Sequence, residues 1–158
     1  MSTRQIKSVT VNNRKKAIEI DTGKGVLGLP FTKLRVRPSA RNRIAEIYVD
    51  PQLGRRAVTY RLASGAEDSV HIDAFLDYNR DPEFLRRIAL HQLSLQAVKA
   101  IKASHLSKHE VVRRLKTSPS QLYRLLDPTN HRKSIDEMLR LLSVLGYTVE
   151  WSVVKQAA

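Results

Sequence analysis

The chain contains no cysteine. Disulfides and thiolate zinc sites are therefore excluded. No stretch of eighteen apolar residues occurs, so nothing reads as a membrane span. The N-terminus carries no apolar signal segment, which sets the expectation of a cytoplasmic protein. A glycine-rich phosphate loop is also missing: Gly23, Lys24 and Gly25 lack its spacing and the serine or threonine that should follow. No glycine-flanked nucleophilic serine appears. Acidic residues are scarce, 15 against 28 Lys and Arg, for a net charge of +13. Such an excess points to an anionic partner, most often nucleic acid.

The 158 residues are 42% apolar, enough for a core in one domain or two small ones. The charge is uneven. Residues 1–61 hold 14 basic and 4 acidic residues (+10), and residues 62–158 hold 14 and 11 (+3). On that count the first part offers a nonspecific phosphate-binding surface or meets an acidic protein.

Residues 107–126, SKHEVVRRLKTSPSQLYRLL, are the most informative stretch. Ser107 with Glu110 is a capping-box pattern and predicts a helix start. Val111, Val112 and Leu115 form its apolar side, and Lys116 and Thr117 make a turn. Ser118 with Gln121 repeats the box, with Pro119 at the first helical position, where its missing N–H is harmless. Leu122, Leu125 and Leu126 predict the buried stripe of a second helix. Its other face shows Ser120, Gln121, Tyr123 and Arg124, groups able to reach base edges or phosphates. Two short capped helices about a tight turn suit a major groove, and equally an ordinary helical hairpin in a small core.

The same residues resemble the lambda-repressor-like, Xre-type helix-turn-helix family over about residues 95–150. Val112 and Leu115 take its apolar places, and Ser118, Ser120, Leu122, Arg124 and Leu126 match its second half. Lys116 departs from the turn glycine, Tyr123 from a common serine, and Pro128 from the glycine after the recognition helix. Pro119 stands where a glutamine often reads a base. The resemblance implies a double-stranded DNA-binding transcriptional regulator, a dimeric repressor or the antitoxin of a toxin–antitoxin pair. It implies Arg124, Ser120 and Tyr123 as base readers, with Ser118 and Gln121 holding phosphates. The polar segment that follows adds Asn130, His131, Arg132 and Lys133 as phosphate contacts.

Elsewhere, alternation predicts strands at 8–11, 17–20, 44–49 and 57–62, and a short one at 70–72. A strand at 26–31 is weakened by Gly28 and Pro30. Together they predict one antiparallel sheet with a wet face. Residues 35–42, RVRPSARN, read as a basic loop. Residues 60–79 faintly resemble small bacterial α+β domains of unknown function. Helical structure is expected from Asp73. A longer helix from Glu83 to about Ser104 carries Phe84, Ile88, Leu95, Val98 and Ile101 on one stripe, with a break near Leu93 and Ser94. Ser134 with Glu137 starts a last helix that Gly146 ends. Tyr147, Val149, Trp151 and Val153 share one face of a predicted terminal strand, which pairs either with the first domain's sheet or with a second copy in a two-fold dimer. The preferred reading is the dimer.

The fold expectation is therefore α+β: a basic domain at 1–80, then a helix-turn-helix domain at 81–158 with a C-terminal strand. The function expected is binding, with no enzyme activity and no cofactor. His105 and His109 flank no third metal ligand in the required order. Asp73 and Asp77 suit a helix start better than acid–base chemistry. The reading from a different class is a basic RNA- or protein-interaction module with the helix pair as scaffold.

Overall fold

The computed structural model describes residues 4–156. Among them the chain is mixed α+β, with two three-stranded antiparallel sheets and five α-helices. It divides into two compact units at Leu85 and Arg86. That division falls inside a helix, five residues later than the expected 80/81 boundary. None of the described helices is long and apolar enough to cross a membrane.

In the first unit, β1 (Ser8–Asn12), β2 (Ala17–Asp21) and β3 (Val26–Pro30) form one sheet in that order. β3 lies at its edge, which is why Gly28 and the terminal Pro30 are tolerated: an edge strand need not donate on its outer side. A second sheet holds β4 (Ile44–Val49), β5 (Ala57–Leu62) and β6 (Glu67–His71). The single expected sheet is thus two. The expected one-sided burial also fails on β5, where Ala57, Val58, Thr59 and Tyr60 are all buried. A central strand covered on both faces shows no alternation. β6 begins earlier than expected, because Glu67, Asp68 and Ser69 carry no apolar signal yet pair with Arg61, Tyr60 and Thr59.

One core joins the two sheets: Ile18, Ile20 and Leu29 meet Val58, Tyr60 and Leu62. Helix α1 (Ile72–Tyr78) adds Ile72, Phe75 and Leu76. Its cap is His71, whose Nδ1 accepts from the Asp73 N–H at 3.1 Å. The N-terminal segment closes the core with Ile6, whose N–H donates to the Arg55 carbonyl at 2.8 Å.

Helix α2 (Pro82–Ala103) starts at Asp81, whose carboxylate accepts from the Phe84 N–H at 2.9 Å. Phe84 belongs to the first core. The expected break at Ser94 is absent. Ser94 is buried and its hydroxyl bonds back to the Leu90 carbonyl at 2.7 Å, which satisfies it inside a continuous helix. The buried side of α2 also differs from the expected stripe. Leu90, Ser94, Ala97 and Ala100 face in, while Ile88 and Leu95 are exposed. Apolar residues surround much of this helix, so periodicity alone could not select a face.

The second unit continues with α3 (Lys108–Leu115), α4 (Pro119–Leu126) and α5 (Ile135–Val144). Their core gathers Val111, Leu122, Leu125, Met138, Leu141 and Leu142 around Leu90, Ala97 and Ala100. Helix α5 ends in a left-handed Gly146 (φ 88°), with Gly146 and Tyr147 N–H groups closing onto the Ser143 and Leu142 carbonyls at 3.0 and 2.9 Å. Beyond it, residues 147–156 form no strand. A strand exists only through ladder hydrogen bonds, and no strand of the described chain pairs with this segment.

Tyr60 sets a stability prediction for the first unit. Its phenol is pushed up to about 12, by burial first and then by the Asp68 carboxylate, and it donates to the Val36 carbonyl. A raised pKa contributes stability that is complete below pH 10 and is lost as pH climbs through 12. Tyr60→Phe should cost about 0.5–1.5 kcal/mol at pH 8 in urea unfolding. The difference between the two proteins should shrink above pH 10; a constant difference would refute the assignment.

Candidate nucleic-acid interface

The local chemistry of α3 and α4 follows from their end residues. Ser107 Oγ accepts from the Glu110 N–H at 3.1 Å and starts α3. The reciprocal half of this box is missing, because the Glu110 carboxylate is held by Arg113 Nε (2.9 Å) and Arg114 Nε (3.0 Å). Those two guanidinium groups, Arg113 foremost, bring the Glu110 carboxyl down to about 2. At the far end Lys116 adopts a left-handed conformation (φ 53°). The Lys116 and Thr117 N–H groups close onto the Arg113 and Val112 carbonyls at 3.1 and 3.2 Å. Glycine is the usual residue for this closure, so the turn keeps the expected geometry at a strain of about 1–2 kcal/mol.

Ser118 then caps α4, accepting from the Gln121 N–H at 3.3 Å. Here too the box is half made: Gln121 Oε1 accepts instead from Arg124 Nε at 2.7 Å. Only the third box is complete, with Ser134 Oγ accepting from the Glu137 N–H (3.0 Å) and Glu137 Oε2 from the Ser134 N–H (2.8 Å).

Arg124 is placed where the sequence did not indicate. Besides Gln121, its guanidinium donates to the Arg132 carbonyl at 2.6 Å and to Glu137 Oε1 at 2.8 Å. All three of its nitrogens thus have a partner inside the chain. Arg124 draws the Glu137 carboxyl below the usual range, with the Ser134 N–H as the next cause. The side chain is a tie between α4, the loop at 127–133 and the start of α5.

Lys133 is likewise internal. It is 3% exposed, and its ammonium donates to the Leu125 and Asp127 carbonyls at 2.7 and 2.8 Å. It satisfies the carbonyls at the end of α4, a role open to a lysine near a helix C-terminus. Burial pulls its pKa down. The Lys133 carbonyl in turn accepts from Arg86 at 2.8 Å, and the Pro128 carbonyl lies 3.2 Å from His91 Nδ1. His131 has a buried Nδ1 without a hydrogen-bond partner. Burial first, then the nearby basic side chains led by Arg87 and Lys133, hold its pKa below the ordinary histidine value of 6.5. Its ring therefore resists protonation more than a solvent-exposed histidine does. Asn130 spends its Oδ1 on the Arg132 N–H at 2.9 Å.

Outward-facing groups remain. Ser120, Gln121 and Tyr123 are exposed on α4, and the Ser118 and Ser120 hydroxyls lie 3.0 Å apart. Tyr123 is 58% exposed, with Lys108 Nζ 5.2 Å from its ring centre. Arg132 is exposed beside α4, while its own carbonyl is fixed by Arg124. Lys116 is exposed at the turn. The sequence reading passed over Lys116 and Lys108 as site residues; a lysine in place of the turn glycine was the available signal. Dividing the charge at Leu85/Arg86 also moves the excess. Residues 86–158 hold 13 basic and 5 acidic residues (+8), and residues 1–85 hold 15 and 10 (+5).

Among the expected dimerisation residues, Tyr147, Trp151 and Val153 are exposed, and Val149 packs against the second core.

The internal role of Lys133 is testable. Lys133→Met keeps the buried stem and removes the donor. It should destabilise the second unit by about 1–3 kcal/mol in chemical unfolding, because two carbonyls lose their partner. The salt dependence of any nucleic-acid binding should stay unchanged; a shallower dependence would instead make Lys133 a phosphate contact.

Compared with known proteins, the chain matches no family model, no curated protein and no solved structure.

Proposed function

We propose that the second unit is a helix-turn-helix module of lambda-repressor-like type that binds duplex DNA sequence-specifically and acts as a dimeric transcriptional repressor. One observation carries this reading: α3 and α4 are capped, joined by a three-residue turn, and leave the open face of α4 to Ser120, Gln121 and Tyr123. A helix so presented can enter a major groove with its first turn against the bases. The charge of +8 on residues 86–158 supports the choice of an anionic partner.

The roles follow from what each group has left to give. Gln121 has its carbonyl oxygen occupied by Arg124, so its amide N–H groups are free to donate to a base or phosphate oxygen. Arg124 acts as the positioning residue for that amide in place of reading a base itself. Ser118 and Ser120 offer hydroxyls at the helix start, where N–H groups also favour phosphate. Tyr123 offers a ring to a thymine methyl or a sugar. Lys116 and Arg132 are the phosphate contacts. Occupancy of the operator then blocks polymerase sterically. The terminal segment, with Tyr147, Trp151 and Val153 exposed, pairs as a strand with the same segment of a second copy.

Selection from a random duplex library should yield an inverted repeat with half-sites about 34–36 Å apart or a multiple of that. No enriched sequence would overturn the reading. On the selected site, Arg132→Ala and Lys116→Gly should each lower the salt slope by about one. Lys116→Gly should do so without loss of stability, since glycine relieves the left-handed strain. Trp151→Asp should convert a dimer to a monomer in sedimentation velocity; an unchanged sedimentation coefficient would place the interface elsewhere.

A further inference from the structure

The first unit carries a cleft of ≈ 500 Å³ whose lining includes Lys16, Phe31, Arg37, Pro38, Ser39 and Arg43. Three cations meet there and no carboxylate lines it. None of the three forms an ion pair with a carboxylate of the described residues. Other basic groups of this unit are neutralised: Arg4 meets Asp81 at 3.0 Å, and Arg35 meets Asp68 at 2.6 Å. Like charges gathered in one concavity repel each other, and an anion removes that repulsion.

The cleft is held in shape before any ligand arrives. The Phe31 N–H donates to the Lys16 carbonyl at 2.8 Å, which ties the β1–β2 turn to the 3₁₀ turn Phe31–Lys33. Lys16 itself is left-handed (φ 50°), a conformation that a side-chain-bearing residue rarely keeps without a reason in the surroundings. The loop carrying Arg37 and Ser39 is pinned at both ends. Tyr60 donates to the Val36 carbonyl, and the Asn42 side chain bonds Ser64 through its hydroxyl (3.0 Å) and its N–H (2.9 Å). Ser39 and Asn42 bridge each other, and the Arg43 carbonyl accepts from the Ala63 N–H at 2.8 Å.

We infer that this cleft binds a nucleotide unit, with its phosphate on Lys16, Arg37 and Arg43 and its base against Phe31 and Pro38. The volume lies in the range of small-molecule sites, about 300–1,000 Å³. A phosphate monoester carries about −1.5 to −2 charges at pH 7, which suits three cations better than a single carboxylate does. Arginine forks bind phosphate oxygens in pairs, and flat apolar groups beside them take a planar ring. Ser39 supplies a hydroxyl for the sugar or the base edge. The unit comes either as a free mononucleotide or as one nucleotide of an unpaired strand.

The test titrates the full chain with adenosine monophosphate, adenosine, inorganic phosphate and a single-stranded dodecanucleotide. Calorimetry and the rise in melting temperature give the affinities. The nucleotide should bind at least tenfold tighter than adenosine or phosphate alone. Arg37→Ala, Arg43→Ala and Lys16→Gly should each weaken it tenfold or more, the last without loss of stability because glycine accepts a left-handed turn. Arg140→Ala, in the second unit and paired with Asp136, should leave it unchanged. A dodecanucleotide that binds tighter than the nucleotide and loses that affinity in Arg37→Ala identifies a strand as the source; otherwise the source is the free nucleotide. Absence of nucleotide binding, equal binding of phosphate alone, or indifference to all three cleft variants would overturn the inference.

Discussion

The last carbonyls of a helix have no partner within it, and at the end of α4 this requirement shapes everything that follows. Lys133 folds back and gives its ammonium to the Leu125 and Asp127 carbonyls. For it to do so, the intervening loop must curl around that ammonium. Arg124 reaches across to the Arg132 carbonyl and Glu137, and Arg86 takes the Lys133 carbonyl from α2. The loop is thereby bound to α4 and α2 through charged donors, the strong class of hydrogen bond, and Arg124 joins α4 to α5 beside it. Arg132 is left as its outward cation, on a backbone that cannot drift from α4.

The two units solve a similar problem, how to hold cations facing outward, by different means. In the second, short helices with polar caps fix a few exposed side chains relative to one another. In the first, a basic loop is pinned by the buried Tyr60 of β5 at one end and by its own Asn42 against Ser64 of the β5–β6 turn at the other. Both places use a lysine in the left-handed region, Lys16 and Lys116, where a glycine would be more comfortable. In each case the strained backbone also carries an exposed positive charge, a combination glycine cannot provide.

Much of the local structure was legible because local rules decide it. Serine caps at 107, 118 and 134, Pro119 at a helix start and Gly146 past a helix end each act within a few residues. Strands β1, β2, β4 and β5 were legible from alternation or apolar content. Less legible was whatever depends on neighbours distant in sequence. β6 is polar and exists through its pairing with β5. The inward face of α2 joins Leu90 to the small residues Ser94, Ala97 and Ala100, while the larger Ile88 and Leu95 stay exposed. The alternation at 147–153 described a strand, but alternation alone supplies no partner to pair with.

The candidate site divides in the same way. The sequence by itself determined that residues 107–126 form two capped helices about a tight turn. Capping, proline placement and apolar spacing are satisfied within one or two turns of chain. It also determined the inventory of polar and basic groups there. Only the tertiary structure decided which of them face outward. Arg124, Lys133 and His131 look in the sequence like three cations offered to phosphates. In the fold the first is a tie, the second a buried cap and the third a ring with a buried, unpartnered nitrogen that burial makes harder to protonate. The physical reason is that a charged or polar side chain takes whatever partner the packed chain brings within reach. For Arg124 and Lys133 that partner comes from the end of α4, the loop carbonyls and Glu137 of α5, while the buried His131 nitrogen finds none, and no local pattern encodes those positions.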